Sequence, residues 1–477
     1  MNMKQEITSH ISEKLLLIAS FLFLTFTTFT LFEKVNETQP NPYIDEIFHI
    51  PQAQLFCKNV WTEWNPKITT LPGLYLISFI FLKPAEIFNN NICSTYSLRF
   101  INIIGTVINF LLAYLILSKL HNNNNRTKSL SNIFLNVVSA VNIAILPTLY
   151  FFTFLYYTDI WSLTFVLLMY YCHLNSKSWK ILAAVSGFAA VMMRQTNIVW
   201  VGFMTMDEIW NVLTKSRRTK KTQDKRYSIE VLKALQKNLS FAKKTKSKWM
   251  SNILSLTGEL LRATFPYLTV CAFFISFVVV NGGVVVGDKN AHTATFHPMQ
   301  VLYFLDFTAF MALPFFLHHV ITKKKLVNFH FAIVLSALAV VLTEVNKLEH
   351  PYLLADNRHL AFYAWKRIFG HDIMRRVVIP TYGIAAVILL ELLSDCNFMF
   401  KVCLAFCISF NLSLQYLFEF RYFIIPFVMC RLHFRQDISV WVEFAYFCVI
   451  NAFTVYIFMN KPFHWASEPH ATQRFIW

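Results

Sequence analysis

Two adjacent carboxylates and a histidine occur together near the start of the chain. Asp45, Glu46 and His49 belong to the segment 41–49, which reads NPYIDEIFH and follows an apolar run. A carboxylate at a membrane surface is partly desolvated, which raises its basicity, and a nearby cation keeps it ionised. Such a group suits a general base that accepts a proton from a sugar hydroxyl. A structural role is compatible with this one, since Asp45 would also cap a helix whose first turn holds Glu46.

A second polar group lies in the last third of the chain, in the segment 350–359, which reads HPYLLADNRH. Cations among aromatic side chains, such as Arg358 and Lys366, suit the binding of a phosphate and stacking on a sugar ring. The residues 365–367 would alternatively form an aromatic and basic belt at head-group depth. The stretch around Asp356 and Arg358 is too polar for such a belt, which favours substrate binding there.

Isolated charges between apolar runs form a third set of candidates. Arg194 interrupts two apolar runs, and charge at membrane depth is costly and usually lines a polar cavity. A simple span boundary explains Arg194 equally well, and Asp159 has the same two readings. Arg421, in the segment 419–422, either binds substrate or snorkels to the interface. His297 lies in a polar loop, where it either donates a hydrogen bond to substrate or is solvated.

Several common catalytic motifs are absent from the sequence. There is no Asp-x-Asp, no glycine-rich phosphate loop, no zinc-ligand spacing and no Gly-x-Ser-x-Gly. The usual metal clamp for nucleotide sugars is therefore missing and no metal site is expected, although a metal-dependent reaction is not excluded. An enzyme built on these residues would take an activated donor that is already in the membrane.

The composition predicts the elements that position these residues. Of 477 residues, 56% are hydrophobic and 14% are charged, whereas a soluble domain carries about 25% charged residues. Forty-nine phenylalanines against ten glycines favour long apolar helices. The sequence predicts an all-α polytopic membrane protein, a single membrane domain over residues 1–477. Its hydrophobic runs number about twelve, from 14–32 to 440–459.

The positive charge is concentrated in loops. The net charge is +17, and the segment 205–262 alone holds 14 Lys/Arg against five Asp/Glu. Basic loops between apolar segments indicate the cytosolic side of a membrane protein. The segment 205–262 is therefore expected to be a solvated cytosolic loop attracted to anionic lipid. No nucleic-acid partner is expected, because no binding fold surrounds the charge.

This orientation defines two loops on the non-cytosolic side, 33–97 and 344–376, and both termini on the cytosolic side. It requires the short apolar segment 70–82 to be an interfacial helix and not a span. Nearly all the polar motifs then share one side of the membrane.

The loop 33–97 carries two features typical of an oxidising, glycosylating compartment. Asn36 opens the sequon Asn-Glu-Thr, which makes it a glycosylation candidate. Cys57 and Cys93 would be able to pair if the loop is lumenal.

In this order, the motifs resemble the dolichyl-phosphate-glucose-dependent α-1,2-glucosyltransferase family of the endoplasmic reticulum. The resemblance covers about residues 40 to 430. The family's usual Glu-Pro-Arg-Tyr reads Glu-Phe-Arg-Tyr at 419–422. The matching stretches are 42–54, 68–75, 194–198, 287–289, 350–367 and 421–424.

The resemblance implies a GT-C type fold in the endoplasmic-reticulum membrane, with the active site facing the lumen. It implies transfer of glucose from dolichyl phosphate glucose to the 2-hydroxyl of the terminal glucose on a diglucosylated, dolichyl-diphosphate-linked oligosaccharide. The new linkage is α, so the anomeric carbon is inverted. Inversion with a phosphate leaving group needs one base, unlike the two carboxylates of glycoside hydrolases.

The resemblance also implies roles for individual residues. Asp45 is at the position of the base, and Glu46 is expected to orient acceptor hydroxyls. Arg358 is the preferred ligand of the donor phosphate, ahead of Arg194 and Lys366, because cations stabilise charge on the leaving oxygen. The other substrate-binding candidates are Tyr43 and His49 at the acceptor pocket, His297, Asp356 and Arg421.

Two other functions are compatible with parts of the sequence. A transporter or channel-associated protein would also contain charges such as Arg194 within its helices. It would however distribute them over midplane positions, whereas here they collect at one face. A related enzyme with a mannose donor has no distinguishing chemistry, because the two sugars differ only in the orientation of one hydroxyl.

Overall fold

The computed structural model describes residues 3–84, 92–121, 130–175, 177–215, 246–289, 295–323, 329–346 and 349–477. Helices dominate these residues. The first half contains α1 (Met3–Thr38), α2 (Glu46–Cys57), α3 (Gly73–Leu82), α4 (Thr95–His121), α5 (Leu130–Ala144), α6 (Pro147–Phe151), α7 (Asp159–His173), α8 (Lys180–Met193) and α9 (Ile198–Lys215).

The second half continues with α10 (Lys246–Asn281), α11 (Met299–Met311), α12 (Leu313–Lys323), α13 (Phe329–Val345), α14 (Pro351–Ala355), α15 (Leu360–Ala364), the π-helix Trp365–Phe369, α16 (Met374–Val377), α17 (Ile379–Leu392), α18 (Phe398–Ser413), α19 (Ile424–Arg431) and α20 (Ser439–Asn460). A two-stranded antiparallel hairpin, β1 (Phe463–Trp465) and β2 (Glu468–Gln473), follows α20. This hairpin is a departure from the all-α prediction.

Several of these helices are long and apolar enough to cross a bilayer. Four qualify singly: Ile11–Thr38, Thr95–His121, Leu254–Asn281 and Ser439–Asn460. Three bent helix pairs raise the number to seven if each pair is one span. Helices α3, α8 and α18 and the segment His330–Val345 are apolar but shorter. The chain is thus a helical polytopic membrane protein, while the count of about twelve spans stays a prediction.

The segment 33–97 begins with the last turns of α1 and continues with two short helices. Helix α3 has ten residues, so it is about 15 Å long, half the thickness of a bilayer core. The segment 70–82 is therefore too short to span, as predicted. A disulfide joins Cys57, at the end of α2, to Cys93, just before α4, which confirms the pairing that the sequence left open.

The two other predicted loops are partly helical, and helix-like stretches are expected in the segment 205–262 from its sequence. Helix α9 continues to Lys215 and α10 begins at Lys246, so both flanks of the segment 205–262 are helical and not loop. Residues 216–245 lie outside the described residues. The segment 344–376 consists largely of the short helices α14 and α15, the π-helix and the start of α16.

The segment 463–477 lies at the same end of the bundle as the segment 33–97. Helix α20 starts near the far end of α4, where His121 Nε2 contacts the carbonyl of Leu432 at 3.1 Å. After α20 the chain is at the end of α1, where Arg474 Nη2 donates to the carbonyl of Thr38 at 3.3 Å. The prediction that both ends of this chain lie opposite the segment 33–97 is therefore wrong for residues 463–477. The chain returns from the end that holds the segment 33–97 to the far end of the bundle between Arg421 and Leu432, a stretch that contains the eight-residue α19.

Candidate active site

A cavity of about 530 Å³ opens at this end of the bundle. Segments far apart in sequence form its wall, from the start of α2 to the residues before α19. Six of the predicted site residues line it: Asp45, His49, Arg194, Asp356, Arg358 and Arg421. Glu46, Tyr43, His297 and Lys366 are not among the lining residues.

A tight turn before α2 directs Asp45 into the cavity. Ile44 has a φ of 53°, the left-handed region, which costs a β-branched residue about 1–3 kcal/mol. Two hydrogen bonds close the turn, from Glu46 N to the carbonyl of Tyr43 (3.1 Å) and from Tyr43 N to Glu46 Oε2 (3.0 Å). The Asp45 side chain makes no capping hydrogen bond and is 40% exposed. It is therefore available to a ligand in the cavity.

Glu46 is directed away from the cavity and is fully buried. Arg99 Nε donates to Oε1 at 2.8 Å and Arg99 Nη2 donates to Oε2 at 2.6 Å. The backbone N–H of Tyr156 also donates to Oε1, at 2.6 Å. The expected contact between Glu46 and the acceptor is therefore corrected, because its oxygens are occupied inside the protein. Glu46 instead stabilises the turn that presents Asp45.

Asn36 belongs to the same buried cluster. It lies inside α1, is 9% exposed, and donates through Nδ2 to the carbonyl of Phe32 at 2.9 Å. Its Oδ1 accepts a hydrogen bond from Arg99 Nη1 at 3.0 Å. A glycan on Nδ2 would have to enter this packed helix interface. The buried position of Asn36 in the first apolar helix therefore argues against glycosylation at this candidate, which stays a prediction.

Two arginines and two further carboxylates form the charged wall next to Asp45. Arg421 Nη1 lies 3.5 Å from Asp45 Oδ2 and 3.9 Å from Asp159 Oδ2, and its Nη2 lies 2.8 Å from Glu419 Oε2. Arg194 Nη2 contacts the other oxygen of Asp159 at 3.0 Å. Burial opposes protonation of Arg421, but the surrounding carboxylates raise its pKa above the usual value.

Arg421 reaches this position although the family's usual proline is replaced by Phe420. Glu419 is extended, and the residues Phe420–Phe423 form a 3₁₀ turn. The Phe420 ring packs against Phe418 and Trp477, with centroid distances of 5.3 and 5.8 Å. Aromatic packing thus stabilises the turn in which the family usually has proline.

His49 lines the cavity as a neutral ring. Its Nδ1 is 2.6 Å from the hydroxyl of Tyr75. Burial is the main cause that lowers the pKa of His49 to about 4, and the charges of Arg421 and Arg194 act in the same direction, against the opposing effect of Asp45. At neutral pH the imidazole is therefore uncharged. It is able to form hydrogen bonds, but it forms no ion pair with Asp45.

Arg358 and Asp356 form a bidentate pair in another part of the cavity lining. Arg358 Nε donates to Oδ1 at 2.9 Å and Nη2 donates to Oδ2 at 2.7 Å. Burial raises the pKa of Asp356, but the hydrogen bonds from Arg358 and the charge of His359 outweigh it, so the net pKa is below the usual value. Asp356 thus orients the Arg358 guanidinium and does not bind substrate through a free oxygen.

Three predicted substrate ligands lie outside the cavity lining. The Tyr43 hydroxyl donates to the carbonyl of Arg474 at 2.7 Å and accepts from its N–H at 2.6 Å, so it anchors the segment 463–477. His297 is buried, with its Nδ1 3.3 Å from the carbonyl of Tyr416. Lys366 is exposed, and its Nζ lies 5.5 Å from the ring centroid of Phe362. None of these three side chains therefore lines the cavity, where the sequence reasoning expected them to bind substrate.

Lys67 is a cavity residue that the sequence reasoning missed. Its Nζ lies 5.0 Å from the ring centroid of Phe48, and within the described part of the chain it has no acidic partner. The segment 286–288 packs behind it, because Asp288 N donates to the carbonyl of Pro66 at 2.8 Å. Gly287, with a φ of +67°, allows this approach, since a Cβ there would be 2.3 Å from the Pro66 carbonyl oxygen.

The described residues include His, Cys, Asp and Glu side chains, which bind metal ions where several of them converge. Among them, no group of three or more His, Cys, Asp or Glu side chains is arranged to hold a metal ion. The carboxylates of the cavity are instead paired with arginines.

These features define a class: a helical polytopic membrane protein with a polar cavity at one end, in which an exposed carboxylate lies among arginines. The DIE2/ALG10 family model matches residues 39–432. The chain belongs to this family, which confirms the resemblance noted from its motifs.

Relatives match almost the whole chain. A Rattus norvegicus protein is 37% identical over 472 residues, covering 94% of this chain and 95% of the relative. A Drosophila melanogaster protein is 34% identical, covering 98% and 99%, and an Arabidopsis thaliana protein is 32% identical, covering 93% and 96%. Each is named Dol-P-Glc:Glc(2)Man(9)GlcNAc(2)-PP-Dol alpha-1,2-glucosyltransferase. No solved structure matches the chain.

Proposed function

We propose that this protein transfers glucose from dolichyl phosphate glucose to the diglucosylated, dolichyl-diphosphate-linked oligosaccharide, forming an α-1,2 linkage. Its family and the names of its full-length relatives support this reaction. The structural observation that carries the proposal is the exposed Asp45 carboxylate, 3.5 Å from Arg421 at the wall of the cavity.

In the proposed reaction Asp45 is the general base. It accepts the proton of the acceptor 2-hydroxyl while that oxygen forms a bond to the anomeric carbon of glucose. The bond from this carbon to the phosphate oxygen breaks, and dolichyl phosphate leaves with the electron pair. Positioned general bases contribute about 10²- to 10⁴-fold to a rate. The leaving phosphate needs no proton, so a second carboxylic acid has no role.

Arg358 is the proposed ligand of the leaving phosphate. Its bonds to Asp356 and Gln473 use one N–H on each nitrogen, so each terminal nitrogen keeps a second N–H. These two donors form the fork that suits a phosphate. Arg194 is paired with Asp159 and is the second candidate, and Lys67 adds a cation without an acidic partner among the described residues.

We propose that the fold is of the GT-C type and that the cavity faces the lumen of the endoplasmic reticulum. The disulfide between Cys57 and Cys93, at the cavity end, supports an oxidising compartment. The basic segment 205–262 supports a cytosolic location for the loop between α9 and α10.

The test is a transfer assay with the purified full chain in detergent or liposomes. Dolichyl phosphate glucose and a diglucosylated lipid-linked oligosaccharide are expected to give a triglucosylated product. Parallel reactions with dolichyl phosphate mannose, and with EDTA, test the donor and a metal requirement, and we expect no mannose transfer and no effect of EDTA. No product with glucose, or product only with mannose, would show the proposed function to be wrong.

A further inference from the structure

The segment 463–477 folds back onto the wall of the cavity. Its strands β1 and β2 form a hairpin in which Phe463 pairs with Gln473. The segment lies outside residues 39–432, the part of the chain that the family model matches. Its contacts therefore add to what the family motifs indicate.

Side chains of this segment enclose the Arg358 guanidinium. Gln473 Oε1 accepts a hydrogen bond from Arg358 Nη1 at 3.2 Å, and Gln473 is buried. The Trp465 ring lies 4.7 Å from the guanidinium carbon, with the Tyr43 ring at 5.8 Å. The Trp465 indole N–H also donates to Asn357 Oδ1 at 2.8 Å, so it contacts the residue preceding Arg358.

The backbone of Arg358 is fixed by the same segment. Ile476 N donates to the carbonyl of Arg358 at 2.9 Å, and Leu360 N donates to the carbonyl of Ile476 at 2.8 Å. Arg474 meanwhile exchanges two hydrogen bonds with the hydroxyl of Tyr43, at the start of the turn that presents Asp45. The segment thus contacts both Arg358 and the residue at the start of the turn that presents Asp45.

We propose that the segment 463–477 is part of the active site and that Gln473 and Trp465 are positioning residues for Arg358. They direct its remaining N–H groups towards the phosphate of the lipid-linked donor. This inference rests on the proposed function. Asp356 holds one edge of the guanidinium, and without Gln473 and Trp465 the other edge is free to rotate away from the phosphate.

The experiment separates donor binding from acceptor binding. Gln473→Ala and Trp465→Leu are compared with Thr472→Ala, an exposed residue of the same strand. We expect the KM for dolichyl phosphate glucose to rise about tenfold or more in the first two variants, because hydrogen bonds to charged groups are strong. The KM for the oligosaccharide acceptor, and both constants of Thr472→Ala, are expected to stay unchanged.

Conservative variants and a double mutant exclude a general folding effect. Gln473→Glu keeps an acceptor oxygen and Trp465→Phe keeps a ring. Both variants are therefore expected to have a KM for dolichyl phosphate glucose close to that of the wild type. Gln473→Ala combined with Arg358→Lys is expected to be no worse than Arg358→Lys alone, since the first acts through the second. Michaelis constants do not depend on the amount of folded enzyme, so a lower yield leaves the comparison intact.

The possible results distinguish this inference from the proposed function. A wild-type chain without glucosyl transfer would overturn the function. An active wild type with unchanged donor KM in both Gln473→Ala and Trp465→Leu, or with equal rises in donor and acceptor KM, would overturn the inference alone. Additive effects in the double mutant would also overturn it.

Discussion

Two arginine–carboxylate clusters lie at opposite ends of the helical bundle and differ in exposure. Far from the cavity, Arg431 and Glu443 are both buried, with Nη2 2.6 Å from Oε2 and Nε 2.8 Å from Oε1. Asn142 completes the group by donating to Glu443 Oε2 at 2.7 Å. At the cavity, Arg421 and Asp45 are separated by 3.5 Å, and the carboxylate is accessible.

The difference shows that ion pairing alone does not identify a reactive site. A closed pair such as Arg431–Glu443 has no direction from which a ligand approaches, so its role is structural. The pair Arg99–Glu46 is of this closed kind although Glu46 is adjacent to Asp45 in sequence. The proposed role as base therefore falls to Asp45, whose carboxylate is 3.5 Å from Arg421 and lines the cavity.

The largest expected effect comes from removing the open carboxylate. Asp45→Asn keeps the shape of the side chain but accepts no proton, so we expect glucosyl transfer to fall by about 10²- to 10⁴-fold. Thermal unfolding of the purified variant is expected to match the wild type, because Asp45 makes no capping bond. Undiminished turnover would show that another group is the base.

Breaking a closed pair is expected to destabilise the protein. Glu443→Gln and Glu46→Gln each leave a buried arginine without its counter-ion, which costs about 3–5 kcal/mol. Thermal or denaturant-induced unfolding in detergent measures this loss of unfolding free energy. Asp372→Asn is the matched control, since Asp372 is 86% exposed and its pair with Arg375 is expected to contribute about 1 kcal/mol or less. Equal losses in all three variants would remove the distinction between closed and exposed pairs.

Stability is expected to depend on pH through His49. The unfolded chain protonates this histidine below about pH 6.5, whereas the folded protein does so only below about 4. Between these values the unfolded state binds more protons, so stability is highest above pH 6.5 and falls as the pH decreases towards 4. The full effect is about 3 kcal/mol. His49→Gln is expected to flatten this part of the stability curve, and an equally steep curve in the variant would contradict the assignment.

The smallest effect is expected at the sequon. Thr38→Ala removes the sequon without changing the contacts of Asn36, because the Thr38 hydroxyl donates to the carbonyl of Lys34 at 2.7 Å and the backbone carbonyl that accepts from Arg474 is kept. We expect unchanged mass after endoglycosidase treatment in both proteins and a stability change within about 0.5 kcal/mol. A glycan lost in Thr38→Ala would mean that Asn36 leaves its closed cluster with Arg99 during synthesis.

Part of the site is predictable from sequence because charged residues stand out next to apolar runs. Asp45, Arg194 and Arg421 are charges at the borders of apolar runs, where burial without function is costly. The short length of the segment 70–82 was likewise readable against the thickness of a bilayer. Motif resemblance then supplied the family, which composition and spacing alone do not identify.

The rest depends on partners that are distant in sequence. The opposite orientations of Asp45 and Glu46 follow from Arg99, which is 53 residues from Glu46 and resembles an ordinary span boundary in sequence. The position of residues 463–477 follows from α19, whose eight residues give no clear hydropathy signal. Tyr43 was expected at the acceptor pocket, but its hydroxyl is satisfied by Arg474, which no local pattern indicates.

The contact between Tyr43 and Arg474 joins residues 431 positions apart. A ribosome adds about 5–20 residues per second, so roughly 20–90 seconds separate the synthesis of these two residues. During that interval the helices between them enter the membrane while the wall that carries Arg358 lacks its support. The enzyme is therefore expected to gain its donor affinity only once residues 463–477 have been synthesised and packed against Tyr43 and Arg358, long after the carboxylate is in place.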